Sequence, residues 1–424
     1  MYDWLASIRA KIITDDMTRH GIMMVIFALM AGLLKYGFNL TMARMLTPAE
    51  YGTLYSLLSL QSILTVFSSA INNSVTKFAS TFKAQGRLDR VSYLWWFSLK
   101  RAFVIGLTSF LGLSLVSPLI SNFLNIDNNW YLVILFFSII LAFALSVNWG
   151  ILRGVQRFLH LGSSTPLIAL LALSVGVLLV YLGWGVFGGL LGFVIAELIG
   201  VFITLFFLRD LVKVGNEKVA IRGLHSYAAL SMLAITAFTL LTFIDVVLVK
   251  HYLGAEVTGN YSVISTLGKV ALIVPGGIAT AMFPKTSELY EKNSAHRPVL
   301  LKAILLTVVL AGGIIIIYWL FPQFITSLLF GEKYTLVSPY LLKYTGAMSL
   351  LAISFLLMNY LLSLNQTKVA YPLMVAVLAQ IGLIVAFHSS ISEIVNIMLI
   401  SGALSVVLML PLYVKIRIGR LGFT

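Results

Sequence analysis

Apolar residues along this chain gather into blocks of about 20 or more, long enough to cross roughly 30 Å of hydrocarbon at about 1.5 Å of rise per residue. Twelve blocks can be drawn, at 21–44, 51–77, 93–117, 129–150, 163–183, 185–208, 227–253, 257–284, 299–320, 335–363, 369–388 and 391–414. Two joins are tight, and only Gly183-Trp184-Gly185 and His388-Ser389-Ser390 mark them as turns. Pro275-Gly276-Gly277 inside the eighth block predicts an interruption there. The pattern predicts an all-α polytopic membrane protein with twelve transmembrane helices.

Charge adds a topology to this picture. Of 424 residues 60% are hydrophobic and 10% charged, against about 25% charged in a soluble domain, so lipid is the solvent for most of the chain. The net charge of +14 does not point to nucleic acid, because the Lys and Arg residues sit in short connections between apolar blocks rather than along one soluble face. With the N-terminus inside, 23 of the 29 fall on the inner side, among them Lys83, Arg87 and Arg90, then Arg153 and Arg157, then Lys285, Lys292 and Arg297. The positive-inside rule then places both termini in the cytoplasm. Arg44, Lys250, Lys333 and Lys343 fall at outer ends, whereas Lys35 and Lys269 lie within spans. Trp95, Trp96, Trp130, Trp149, Trp184 and Trp319 fall near span ends, as for rings that settle at the headgroup level. The first 20 residues mix charges with Trp4, Leu5, Ile8 and Ile12 and lack a cleavage site, which predicts an interfacial segment. With no cysteine, disulfides and thiolate sites are excluded.

The block starts repeat at an offset of 206, and the sequence repeats with them. Ala49-Glu50 matches Ala255-Glu256, Tyr55-Ser56 matches Tyr261-Ser262 and Ser59 matches Ser265, five identities in eleven positions. Arg44 aligns with Lys250, and Asn39 with Asp245. Six crossings per unit is an even number, so the halves enter the membrane in the same orientation, the parallel-repeat arrangement of transporters. The expected organisation is an interfacial segment at 1–20, a first lobe at 21–208, a cytoplasmic linker at 209–224, a second lobe at 225–414 and a cytoplasmic tail at 415–424.

An ionised group at the centre of a membrane helix costs about 2.5–3.5 kcal/mol on insertion scales, so each calls for a partner or a wet cavity. Lys35, Glu197, Asp245 and Lys269 are such groups. Lys35 and Asn39 share a helical face; Thr239, Thr242 and Asp245 form a second polar stripe, and Ser262, Ser265, Thr266 and Lys269 a third. Two readings stand side by side. The stripes line a cleft in which Lys35 and Lys269 attract an anion, with Arg44 and Lys250 assisting at the outer mouth, or Asp245 pairs with one of the lysines and locks helices together. Asp245 and Glu197 are also candidates for uptake of H⁺ or Na⁺. Asn72, Asn73, Asn148, Asn359 and Gln380 suit sugar hydroxyls or interhelical hydrogen bonds equally.

The segment Ala43-Arg44-Met45-Leu46-Thr47-Pro48-Ala49-Glu50-Tyr51-Gly52 resembles the polysaccharide flippases, the Wzx-type translocases of the multidrug/oligosaccharidyl-lipid/polysaccharide (MOP) exporter superfamily, with Met45 in place of the usual leucine. Asn73-Ser74-Val75-Thr76-Lys77-Phe78 and the basic loop with Gly86 extend the likeness. The resemblance implies a MATE-like fold in a bacterial inner membrane. It also implies movement of an undecaprenyl-pyrophosphate-linked oligosaccharide to the periplasmic leaflet, with a polysaccharide polymerase and assembly machinery as further partners. A drug/cation antiporter of the same superfamily is the rival, and an acidic cleft would favour it. Thr47 also reads as an N-cap with Glu50 completing a capping box and Pro48 at the first turn, so the motif has a purely structural reading as a hairpin. No catalytic constellation appears: Gly-x-Ser-x-Gly, His-Glu-x-x-His and phosphate-loop Gly-Lys-Ser/Thr are absent, and the six His are scattered. No cofactor is expected.

Overall fold

The computed structural model describes residues 16–213, 226–292 and 294–421. Residues 1–15 of the expected interfacial segment, 214–224 of the linker, residue 225 of the second lobe and 422–424 of the tail lie outside them. The described residues form helices and no strands. In chain order these are α1 (Asp16–Met45), α2 (Pro48–Leu64), α3 (Val66–Ala84), α4 (Leu88–Leu115), α5 (Ser117–Phe123), α6 (Trp130–Gly154), α7 (Phe158–Leu179), α8 (Gly185–Phe207), α9 (Ser226–Gly268), α10 (Val270–Glu291), α11 (Arg297–Leu320), α12 (Pro322–Phe330), α13 (Ser338–Ser363), α14 (Ala370–Ala386) and α15 (Ile391–Leu421).

Among the described residues ten continuous helical stretches are long and apolar enough to cross a membrane. Two of them, Phe158–Phe207 with 50 residues and Leu230–Glu291 with 62, far exceed the ~20 residues one crossing needs. Each is folded back at glycine. Gly183 (φ 88°) and Gly185 (φ 49°) reverse the first, and Gly254 (φ 79°) reverses the second, conformations that a side chain would strain. Twelve crossings result, as the apolar pattern predicts. The interruption expected at residues 275–277 is absent, since α10 runs through them; the helix instead breaks nearly two turns earlier, at Lys269. The stretch between the ninth and tenth apolar blocks contains α12 and a short 3₁₀ turn.

Contacts gather the chain into two compact units. The first takes the described parts of Met1–Phe38, Ser68–Ser117 and Trp130–Arg222, and the second those of Asn39–Phe67, Pro118–Asn129 and Gly223–Thr424. In the first unit Trp95 is buried and not at an interface: its Nε1 donates to Asn148 Oδ1 at 2.9 Å, and Asn148 Nδ2 donates to Thr204 Oγ1 at 2.9 Å. This chain ties α4, α6 and α8 and gives Asn148 an interhelical role. Trp149 likewise turns inward, donating to Ser164 Oγ at 3.0 Å, while Trp130, Trp184 and Trp319 remain exposed.

In the second unit α2 lies against α9 at backbone distance. A Cβ on Gly52 would sit 2.2 Å from Ala255 O, and one on Gly259 1.9 Å from Pro48 O, so only glycine permits this approach. The capping box forms as read from sequence: Thr47 N–H donates to Glu50 Oε2 at 2.9 Å, and Glu50 N–H to Thr47 Oγ1 at 3.3 Å.

Candidate substrate and coupling site

The second unit holds a buried polar cluster on α2, α9 and α13. Asp245 has no exposed surface. Its Oδ2 accepts from Tyr261 OH at 2.7 Å and from Tyr344 OH at 2.8 Å, whereas its Oδ1 has no hydrogen-bond partner. Tyr344 OH also lies 3.1 Å from Ser265 Oγ, which Tyr55 OH meets at 3.3 Å. Above the Tyr55 ring, 5.6 Å from its centre, and 4.4 Å from the centre of the Phe243 ring stands Lys269 Nζ, itself without a hydrogen-bond partner. Ring faces attract a cation, yet they leave all three N–H donors of an ammonium unused. Lys269 therefore does not pair with Asp245. Tyrosine and serine hydroxyls span the space between them, leaving one acceptor and one cation unsatisfied in the interior.

One turn before Asp245 on α9, Leu241 O accepts from Gln380 Nε2 at 3.3 Å, while Gln380 Oε1 is buried without a partner. The threonines of the predicted stripes contribute less. Thr239, Thr242 and Thr266, like Ser262, return their hydroxyls to carbonyls of their own helix, the back-bonding typical of Ser and Thr within helices. Asn359 does the same with Phe355 O.

Charge is handled differently in the first unit. Glu197 on α8 is buried, and its carboxylate is the acidic group that acts on the Lys35 ammonium of α1. Lys35 itself is exposed. Asn39, one turn further along α1, is half-buried and belongs to the second unit.

The two cations expected at the outer mouth are engaged by the chain itself. Arg44 donates through Nε to Leu329 O at 2.8 Å and through Nη2 to Leu328 O, at the C-terminal end of α12. In return Lys333 donates to Leu46 O at 2.6 Å and Arg44 O at 3.3 Å, at the C-terminal end of α1. Each cation meets carbonyls that a helix end leaves unpaired. Lys250 is 1% exposed and donates to Asn125 O at 3.1 Å. The motif from Ala43 to Gly52 accordingly builds a packed hairpin end, with a cap, a glycine contact and an arginine clamp.

Sequence reasoning singled out Asp245 and Lys269 but missed the tyrosines that separate them. The one available signal was the repeat, in which Tyr55 and Tyr261 are identical. Tyr344 carries no such mark. Among the described residues no group of three or more His, Asp or Glu is placed to hold a metal ion.

Solved structures share this fold. The chain superposes on an inward-facing multidrug resistance MATE family transporter of the MOP superfamily with a TM-score of 0.71 at 13% identity, covering 95% of this chain and 99% of that one. Lipid II flippase MurJ in an inward closed conformation gives 0.70 at 15% identity, covering 93% and 87%. A MOP superfamily transporter from Pyrococcus furiosus, described by the reverse polarity of its binding pocket, gives 0.65 at 16% identity, covering 98% of each. No curated protein sequence matches the chain. A family model described as polysaccharide biosynthesis protein matches residues 41–339, the greater part of the chain and all of the Asp245 cluster except Tyr344. A multi-pass membrane protein with the MOP-superfamily fold, this chain belongs to that polysaccharide biosynthesis family.

Proposed function

We propose that the chain is a flippase that carries a lipid-linked oligosaccharide, attached through a pyrophosphate, from the cytoplasmic to the periplasmic leaflet of a bacterial inner membrane. The observation that carries this reading is Lys269: an ammonium in the interior with no hydrogen-bond partner, framed by two aromatic faces. An unsatisfied interior cation is costly unless something anionic visits it. A diphosphate supplies that anion, and membership of a polysaccharide biosynthesis family supplies the sugar. Two like-oriented six-helix halves at 21–208 and 225–414 rock against each other in this scheme, and the exposed Lys35 of the first unit is the second cationic contact.

Asp245 supports a coupled cycle. Its unpartnered Oδ1 is a place for H⁺ or Na⁺, and binding there would remove a charge that otherwise competes with Lys269 for the field of the cargo. The drug/cation antiporter reading uses the same carboxylate but leaves the lysine without a purpose.

Reconstitution into proteoliposomes with an undecaprenyl-pyrophosphate-linked glycan tests the scheme. The wild-type protein is expected to transfer the glycan to the far leaflet, and Lys269→Gln to do so at least about tenfold more slowly at equal protein level. Wild-type vesicles that move a cationic dye and never the glycan would replace the flippase reading with the antiporter.

A further inference from the structure

At the C-terminal end of α6 one arginine is held in a way that leaves its charge unspent. Gly150 and Gly154, four residues apart on α6, face α3 so closely that a Cβ on Gly150 would meet Asn72 O at 2.9 Å and one on Gly154 would meet Ala79 Cβ at 2.4 Å. This small-xxx-small contact lays the last turn of α6 along α3. Arg153, between the two glycines' turn and the helix end, donates from Nη1 to Asn72 Oδ1 at 2.9 Å. Asn72 is 8% exposed and is fixed in turn, its Nδ2 donating to Ser146 O at 3.1 Å.

The helix end itself does not need Arg153. Lys83 already supplies the cation there, donating to Val155 O and to Gln156 Oε1, both at 2.8 Å. The neighbouring basic residues also differ. Arg157, one turn on, is neutralised by Asp210 and also donates to Phe207 O at 2.8 Å; Arg87 is neutralised by Asp89. Arg153 among the described residues has the neutral Asn72 amide as its partner, and the side chain keeps accessible surface. A guanidinium has five N–H donors in a fixed fork. With Nη1 held by an amide oxygen, Nε and Nη2 remain to bind two oxygens of one phosphoryl group.

We propose that Arg153, oriented by Asn72, is an anion receptor for a phosphoryl group on the side of the membrane where the basic connections lie, and so the first contact of the cargo diphosphate. The choice of anion rests on the flippase reading; the positioned, uncompensated guanidinium does not. A topology signal alone would be served by a mobile, solvated lysine, and a helix-packing bond alone would be served by Asn72 with any donor.

Asn72→Asp separates these roles. The aspartate still accepts from Arg153 but cancels its charge, as Asp210 does for Arg157. Arg153→Gln keeps an amide donor toward Asn72 and removes the charge, so it serves if the aspartate, which lacks the donor to Ser146 O, fails to fold. The probe is inorganic pyrophosphate, titrated by calorimetry against the full chain in phosphatidylcholine nanodiscs. Wild type is expected to bind, with both variants at least tenfold weaker and thermal midpoints close to wild type. Repeating the titration with phosphatidylglycerol in the disc identifies the natural source: competition assigns the receptor to a phospholipid headgroup, and unchanged binding assigns it to the cargo diphosphate. Pyrophosphate binding that is equal in wild type and both variants overturns the proposal. Glycan transfer by the same discs' protein in proteoliposomes keeps the two readings apart. Transfer without Arg153-dependent binding sinks this inference alone, and Arg153-dependent binding without transfer sinks the flippase alone.

Discussion

The two units treat charge differently. In the first, the buried Glu197 acts electrostatically on an exposed Lys35, and one carboxylate oxygen, Oε2, is left without a hydrogen-bond partner. In the second, Asp245 and Lys269 are separated by Tyr344, Ser265 and Tyr55, and each retains an unsatisfied atom. A pair that neutralises itself serves the fold, because losing either member strands the other. A pair held apart by hydroxyls costs stability at rest and stays open to an external ion or anion.

The strongest blow to the second unit is Asp245→Ala, which takes the acceptor from two buried tyrosine hydroxyls at once, leaving Tyr344 with Ser265. At about 1–3 kcal/mol for each unsatisfied buried group, a loss on the order of 3 kcal/mol is expected, read as a fall in thermal midpoint in detergent. Asp245→Asn keeps an acceptor for both and is expected to retain most of that stability while abolishing any dependence of flux on an H⁺ or Na⁺ gradient. Equal stability of the two variants would mean the tyrosines find other partners.

Removing the lysines tests the contrast most directly, because opposite signs are expected. Lys35→Ala strands Glu197 and is expected to cost about 1–2 kcal/mol, less than the 3–5 kcal/mol of a fully buried pair because Lys35 keeps accessible surface. Lys269→Ala removes a cation that nothing satisfies and is expected to leave stability unchanged or raised. A double variant Lys35→Met with Glu197→Leu should recover the loss of the single one. If Lys269→Ala destabilises as much as Lys35→Ala, the two units do not differ as described.

A finer test lies in the spacer. Tyr344→Phe removes one of two hydrogen bonds to Asp245 and one to Ser265, and about 1–2 kcal/mol is expected, against roughly 1 for Tyr261→Phe, which gives up one bond. Chemical denaturation of the two variants side by side checks the ranking.

The smallest effect concerns a pair outside the membrane, Arg157 with Asp210. The hydrogen bond from Arg157 holds the Asp210 carboxyl below the usual carboxylate range. The contribution is therefore complete above the ordinary unfolded value, near 3.9, and fades as pH falls through the depressed folded value. Because the Asp210 side chain is 57% exposed, no more than about 1 kcal/mol is at stake. The acid limb of the thermal midpoint should flatten slightly in Asp210→Asn, and an unchanged limb would show the pair to be idle.

Much of the scaffold was legible in the sequence. The apolar blocks predict the crossings, Gly183 and Gly254 sit at the folds of the two longest stretches, and Thr47, Pro48 and Glu50 spell the cap that forms. These signals are local, and local chemistry produces them. Lys269 and Asp245 were legible as anomalies, since a charge inside an apolar block is visible without a fold. Their relation was not. The salt bridge that their opposite signs suggest is replaced by a tyrosine bridge, because packing brings Tyr344 and Tyr55 between them. Arg153 looked like one more basic residue of an inner connection, and only the approach of α3 to Gly150 and Gly154 distinguishes it from Arg157 four residues on.

What the sequence by itself determined is where the chain meets lipid and how often, since burying an apolar block of fixed length depends on composition and spacing alone. Tertiary structure decided which charge faces which partner: Lys35 with Glu197, Asp245 with two tyrosines, Lys269 with two rings, Arg153 with an amide. The physical reason is range. Hydrophobic transfer is summed along a segment, whereas a hydrogen bond or ion pair exists only within a few ångströms, and helix packing alone brings residues far apart in the chain to that distance.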